Sequence, residues 1–258
     1  MSLQDTLLNN TIKIHPMTIP QFKSMSKKGV VILSGGMDST TMLYDFFRIG
    51  YVIKGVLSFN YGQRHVKELE YAKKTTAKLN LEHHVVDISN IVGLLGGSAL
   101  TDNIDVPHGH YEAENMKLTV VPNRNMIMLS IATGYAVSKE ADFVAFAAHG
   151  GDHAIYPDCR REFVDKLTEA TLIANYQPVK ILAPYLDIDK GDIAIRGKEI
   201  GVPYEDTWTC YEGKERPCLK CGACQERTLA FIKAEISDPL LTTEENIKAK
   251  DIVTLNSQ

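Results

Sequence analysis

Four cysteines between residues 210 and 224 are spaced C-x7-C-x2-C-x2-C: Cys210, Cys218, Cys221 and Cys224. Two intervening residues let a turn aim both thiolates at one ion, and four sulfurs around a tetrahedral Zn2+ form a closed structural site with no position left for chemistry. The spacing reads as one structural zinc, with an iron–sulfur cluster, where C-x2-C-x2-C also occurs, or free thiols as alternatives. Cys159 lies outside the pattern, and "YPDCRREF" supplies no base to activate it, so a small buried role is expected. A second chemical stretch, "VILSGGMDST" at 31–40, carries an apolar run into Ser-Gly-Gly and then an Asp-Ser pair. Gly35 and Gly36 let the backbone turn tightly and present N–H groups unobstructed, and a helix starting there adds its partial positive charge. That is an anion site of phosphate size. It is neither the Walker A loop nor the G-x-G-x-x-G fingerprint.

Positioning such a loop requires a strand before it and a helix after it. Short β-branched or aromatic runs occur at "VVIL" (30–33), "VIKGVLSF" (52–59), "HHVVDI" (83–88), "DFVAFAA" (142–148) and "KILAPYL" (180–186), and helix-length segments separate them. The helices are expected near 39–49, 66–79, 123–139, 160–174 and 189–200, with Asn123 and Asp189 as N-caps. This alternation predicts an α/β fold: a doubly wound parallel sheet with helices on both faces, its ligand crevice beyond the carboxyl ends of the strands. Residues 89–122 break the rhythm with more than 30 residues of no clear period, the kind of long loop that is functional or mobile. His108 and His110 in that loop read as surface or lid residues rather than metal ligands. The expected organisation is a tail or edge element at 1–28, the main α/β domain at 29–204, a small C-terminal zinc-binding segment with a helix at 205–240, and a tail at 241–258.

The composition narrows the function classes. With 258 residues, 44% of them hydrophobic, the chain can bury a real core, and a net charge of −4 gives no footprint for nucleic-acid phosphates or an anionic membrane. No run approaches the roughly 18 apolar residues of a membrane span, and no charged-then-apolar leader is visible. Together with cysteines spaced for a metal rather than for disulfides, this predicts a cytoplasmic protein of small-molecule chemistry.

"SGGMDS" (34–39) resembles the pyrophosphate loop of the ATP pyrophosphatase superfamily, read there as Ser-Gly-Gly-x-Asp-Ser. The resemblance implies the adenine nucleotide alpha hydrolase-like (Rossmann-like) fold and cleavage of ATP between its α and β phosphates. It places Ser34, Gly35, Gly36, Asp38 and Ser39 around the leaving pyrophosphate, with Leu33, Met37 and Thr40 completing the ATP loop and Asp38 holding Mg2+. Four further blocks, "VPNRN" (121–125), "GDHAIYPDCR" (151–160), "WTCYEG" (208–213) and "PCLKCGACQERTLAF" (217–231), resemble those of the 7-cyano-7-deazaguanine synthase (QueC) family.

That resemblance implies a homodimeric ligase that makes 7-cyano-7-deazaguanine from 7-carboxy-7-deazaguanine, ammonia and ATP. The carboxylate is adenylated, ammonia displaces AMP, and a second ATP activates the amide oxygen so that it leaves and a nitrile remains. Arg124 and Arg160 join Asp38 as candidate catalytic residues, able to meet phosphate or carboxylate in bidentate fashion; helix capping or an ion pair is the bland alternative. Asp152 and Asp158 are candidates for the N–H edge of a guanine-like base, and Tyr156 and Trp208 for a stacking face; capping and core packing compete with these. His153 beside Asp152 reads first as structural and second as a proton shuttle. The rival functions are a tRNA-modifying member of the superfamily, which would want a basic face, and a non-catalytic ATP-binding zinc module.

Overall fold

A computed structural model describes residues 27–108 and 114–255. The tail expected at 1–28 lies outside these except for its last two residues, as does His110. Five strands form one sheet in the order β3-β2-β1-β4-β5: β1 (Lys28–Ile32), β2 (Val52–Asn60), β3 (His83–Asp87), β4 (Phe143–Ala145) and β5 (Lys180–Leu182). Every pair is parallel, as the strand–helix alternation predicts. The chain builds outward from β1 to β3, then returns to the other side of β1 with β4. The direction of winding therefore reverses between β1 and β4, and the ligand crevice of such sheets opens at that reversal.

Both sheet faces are apolar, and their residues alternate along each strand. Val30, Leu57 and Val144 join one cluster, which is covered by α4 (Arg124–Ser138) and α5 (Arg161–Ile173). Val31, Val56, Phe143 and Ala145 join the other, under α1 (Met37–Arg48), α6 (Lys190–Ile200) and α7 (Gly222–Lys233). Helix α2 (Glu68–Lys78) adds Ala72 to this second cluster. The sheet is doubly wound, as expected.

Three boundaries differ from the sequence expectation, each for a local reason. Asn123 does not cap α4 with its side chain; it sits at φ 58°, and Asp158 Oδ2 instead accepts from the Asn125 N–H at 3.0 Å. Asp189 does cap α6, in a reciprocal box with Asp192. The long segment 89–122 is packed rather than loose over its described part: after the single turn α3 (Ser89–Val92), Ala99, Leu100, Met116 and Val121 are buried. The tail expected at 241–258 holds α8 (Thr243–Leu255), because Thr242 and Glu245 form a capping box and Ala249 and Val253 are buried. No helix among the described residues is long and apolar enough to cross a membrane.

The helical layer over α1 is tied down by a buried charge. Asp45 accepts from Tyr185 Oη at 2.7 Å and from Arg196 Nε at 2.7 Å, joining α1 to α6 and to the turn before it. Removing one partner of such a buried pair strands the other. Asp45→Ala should lower the unfolding free energy by about 3 kcal/mol, read as a lower urea midpoint with an unchanged slope.

Candidate active site and metal centre

Strand β1 ends at Ile32, and Leu33 extends its ladder through a 2.8 Å bond from its N–H to Leu57 O. The chain then breaks at Ser34. Gly35 takes φ +88°, and a Cβ there would lie 2.1 Å from the Glu68 carbonyl oxygen, so only glycine lets the loop lie on the first turn of α2. Gly36 is the N-cap of α1. The hydroxyls of Ser34 and Ser39 meet at 3.0 Å, and the Gly36 N–H donates to Ser34 Oγ at 3.2 Å. Trp208 N–H holds Gly35 O at 2.9 Å from the far wall. This loop forms one end of an open cleft of about 1060 Å3, mouth included.

Three charged groups meet at the floor. Lys190, at the start of α6, is only 6% exposed, and its Nζ lies 3.2 Å from Asp38 Oδ2 and 2.5 Å from Glu226 Oε2. Burial works against its charge, but Asp38, Glu226 and Asp152 outweigh that and hold its pKa well above the usual lysine value. Burial pushes the Glu226 carboxyl up, with Lys190 opposing. His149, buried, stands 3.5 Å from Asp152 and 3.7 Å from Glu226. The remaining Asp38 oxygen, Oδ1, is buried without a hydrogen-bond partner. A carboxylate oxygen with an unused acceptor beside a phosphate-sized loop fits a hard divalent cation such as Mg2+.

The cleft is also lined by Arg124, Tyr61, His65 and Glu68. Arg124 lies over the rings of Tyr61 and Tyr156, with Nη1 3.5 Å from Tyr61 Oη. Its burial opposes charge, yet the oxygens of Tyr61, Asp158 and Tyr156 hold its pKa above the usual arginine value. Glu68 Oε1 accepts from Gln63 Nε2 at 3.0 Å, and Oε2 lies 3.5 Å from His65 Nε2. Burial raises the Glu68 carboxyl to about 8 and lowers His65 to about 3.

The structure brings Asp38, Arg124, Asp152 and the loop Leu33, Ser34, Gly36 and Ser39 to one cleft. The other expected site residues take different places. Arg160 is exposed and donates from Nε to His153 O at 2.9 Å; Asp158 is the cross-chain cap of α4; Tyr156 is buried with its hydroxyl 2.6 Å from that of Thr119. Trp208 reaches the cleft, but its ring is buried against Tyr71 and its Nε1 donates to Cys210 O at 3.0 Å, leaving the backbone as its contribution. Cys159 is buried, with burial pushing its thiol up, and Asn125 Nδ2 donates to its sulfur at 3.3 Å. Lys190, Glu226, Tyr61, His65 and Glu68 were missed by sequence reasoning. "DIDKGD" offered one signal, since an acid that caps a helix puts the next residue at its mouth.

The four cysteines expected to bind metal do converge. One ligand atom from each of Cys210, Cys218, Cys221 and Cys224 lies within 4.8 Å of the others, and the sulfurs of Cys218 and Cys224 are 3.9 Å apart. A tetrahedral ion about 2.3 Å from each sulfur sets them roughly 3.8 Å apart. Backbone N–H groups of Cys218, Lys220 and Cys221 point at sulfurs at 3.3 to 3.4 Å. Hydrogen bonds from Cys210 and Cys218, then burial, push the thiols of Cys221 and Cys224 up, so a cation is what would let four thiolates coexist. The donor set fits a single metal ion. His108 lies on the surface nearby, paired with Glu212 at 3.3 Å, and is not a ligand.

A glycine loop that ends a central parallel strand, opens a helix and faces a cleft of paired acids and bases defines a phosphate-binding α/β site of the enzyme type. The chain belongs to the family of the queuosine biosynthesis protein QueC, whose family model matches residues 28–235. It is 56% identical over 213 residues to a 7-cyano-7-deazaguanine synthase of Hahella chejuensis, covering 83% of this chain and 92% of that one. A synthase of the same name from Pseudoalteromonas translucida is 56% identical over 216 residues, covering 84% and 99%.

The two displaced titrations at the Arg124 end make opposite contributions to stability. Folding keeps a proton on Glu68 that the unfolded chain releases above its ordinary 4.5, so that contribution is lost as pH rises through about 8. Folding keeps His65 neutral, so its contribution is lost as pH falls below its ordinary 6.5. Between about 6.5 and 8 only the Glu68 effect changes. Urea midpoints should therefore fall across that window in the parent protein, and fall less in Glu68→Gln.

Proposed function

We propose that the chain is an ATP-dependent ligase that converts 7-carboxy-7-deazaguanine and ammonia to 7-cyano-7-deazaguanine, a step in making the queuosine precursor. ATP is cleaved to AMP and pyrophosphate twice, at one loop. The observation that carries this reading is that one cleft is lined by both the anion loop and Arg124, in a chain more than half identical to synthases of that name. A carboxylate is a poor electrophile and its oxygen a poor leaving group; adenylation remedies both, first for the acid and then for its amide.

The chain's own groups divide the work. The Gly36 and loop N–H groups and the α1 N-terminus hold the leaving pyrophosphate. Lys190, kept charged beside Asp38, meets the charge that develops as the α–β bond breaks. Asp38 Oδ1 would hold Mg2+, which supplies charge neutralisation on the phosphate oxygens. Arg124 receives the substrate carboxylate, with Asp152 placed for the N–H edge of the base. The metal is read as zinc in a structural role: a [4Fe–4S] cluster gives each thiolate its own iron and a [2Fe–2S] cluster divides them between two, and both spread the four sulfurs further than these lie. A cytoplasmic setting, where thiols stay reduced, suits that ion, and the family resemblance supports a homodimer.

The test incubates the protein with ATP, Mg2+, ammonium and 7-carboxy-7-deazaguanine and follows products by mass spectrometry. Nitrile with two AMP per nitrile is expected, with Asp38→Asn lowering kcat/KM for ATP by about 100-fold. AMP without nitrile would mean another acceptor, as in tRNA modification; no substrate-dependent AMP would mean a non-catalytic ATP-binding module. Elemental analysis should give one zinc per chain, and iron with sulfide would overturn the metal reading.

A further inference from the structure

Making a nitrile from ammonium requires that every proton leave the nitrogen, so a base must stand where that nitrogen reacts. Neither the phosphate loop nor the Asp38–Lys190–Glu226 group at the floor supplies one, because both serve the phosphate end. The residues between β2 and the first turn of α2 have the needed character. His65 has a side chain 5% exposed, yet its Nδ1 is buried with no hydrogen-bond partner. Glu68, with a side chain 11% exposed, uses Oε1 to accept from Gln63 and has Oε2 facing His65 Nε2. Tyr61 Oη lies 3.4 Å from His65 Nε2 and 3.5 Å from Arg124 Nη1. All four of Tyr61, His65, Glu68 and Arg124 line the cleft.

We propose that Tyr61, His65 and Glu68 form the seat of the reacting nitrogen, with Glu68 as the general base that takes its protons. The proposal rests on the reaction given above and adds to it the site of ammonia. A substrate carboxylate held by Arg124 would lie beside Tyr61, whose Oη is 3.5 Å from Arg124 Nη1, and Arg124 is close enough to Glu68 for its charge to favour the ionised carboxylate. A neutral His65 can accept an N–H at Nδ1 without repelling ammonium, and an ionised Glu68 attracts it.

The steps balance without an oxidant or reductant. Ammonium gives one proton to Glu68, which passes it to water; the ammonia left behind attacks the adenylated carboxyl carbon, Glu68 takes a second proton from the nitrogen of the adduct and passes it on likewise, and the C–O bond to AMP breaks to leave the amide. In the second round the amide oxygen attacks the α-phosphorus and the P–O bond to pyrophosphate breaks. One N–H bond then breaks to Glu68, leaving a C=N imidate. After that proton has passed to water the second N–H bond breaks to Glu68. Its electron pair becomes the third C–N bond, and AMP leaves with the pair of the broken C–O bond.

The groups facing Glu68 are His65 and Tyr61 from its own connection, Arg124 from α4, Tyr156 behind Arg124, and Tyr211 from the cysteine segment, whose ring lies against His65. Burial moves Tyr61 and Tyr156 up and His65 down, away from neutrality. An ascending limb near pH 8 would therefore report Glu68.

The experiment splits the reaction. Carboxylate-dependent ATP–pyrophosphate exchange without ammonium reads the first adenylation; if the parent protein lacks it, the proposed reaction itself fails. Turnover of the 7-carboxamide with ATP, which needs no ammonia, reads the second adenylation and the proton removals that follow it. Glu68→Gln should keep exchange within about 3-fold while losing carboxamide turnover by about 100-fold or more. In the parent, turnover should rise with pH through about 8. Glu68→Asp should retain that limb at a lower rate, and it decides the matter if the glutamine variant does not fold. Carboxamide turnover by Glu68→Gln at the parent rate, equal loss of exchange and turnover, or a flat parent profile between pH 6.5 and 9 would each overturn the proposal.

Discussion

Four sulfurs held within 4.8 Å of one another decide where the last third of the chain can go. Their segment packs on the cleft: a Cβ on Gly213 would lie 2.3 Å from Arg64 O, the Tyr211 ring leans on His65, and Trp208 N–H bonds the phosphate loop. Cys221 is the N-cap of α7, so the same cluster sets the start of the helix that brings Glu226 under Lys190. The next residue, Arg227, bonds both oxygens of Asp238 and reaches Thr207 and Tyr204 O, tying the segments before and after the cluster into one body. A four-thiolate site leaves no open position for chemistry, but the segment that carries it lines the cleft with Trp208, Thr209, Tyr211 and Ala223.

Charge balance explains why the floor needs so many ionisable groups. A buried lysine without partners would lose its proton, and a pair of buried carboxylates without a cation would take one up. Lys190 between Asp38 and Glu226 solves both problems and keeps a positive charge in a dry place. His149 lies 3.5 Å from Asp152 and 3.7 Å from Glu226. At Glu68 the same physics runs the other way: the hydrogen bond from Gln63 and the charge of Arg124 favour the ionised form, but burial outweighs them.

The parts that were legible in the sequence are those written in local pattern. Alternating β runs and helix-length spacers gave the sheet, the C-x2-C steps gave the thiolate cluster, and Ser-Gly-Gly at a strand end gave the anion loop. What was not legible is long-range. Asp158 looks like a ligand residue and is a cap for a helix 33 residues away. Trp208 looks like a stacking face and is spent inside the wall against Tyr71. Lys190 looks like a surface helix residue, and only the meeting of α1, α6 and α7 buries it. Thr242 and Glu245 form a capping box that could have been read, and it turns an expected tail into α8.

The loop and the nitrogen seat are built as one rigid piece. Gly35 lies directly on the backbone of Glu68, and its carbonyl is held from the other side by Trp208. Two adenylations at one loop, as proposed, would call for such a contact. The carboxylate oxygen of the first round and the amide oxygen of the second must meet the α-phosphorus in the same place, while the nitrogen, absent at first and then attached, must stay within reach of the same acid. A hinged site could position one of these reactants by closing on it; a fixed one positions both, because the second substrate is the first with one atom exchanged.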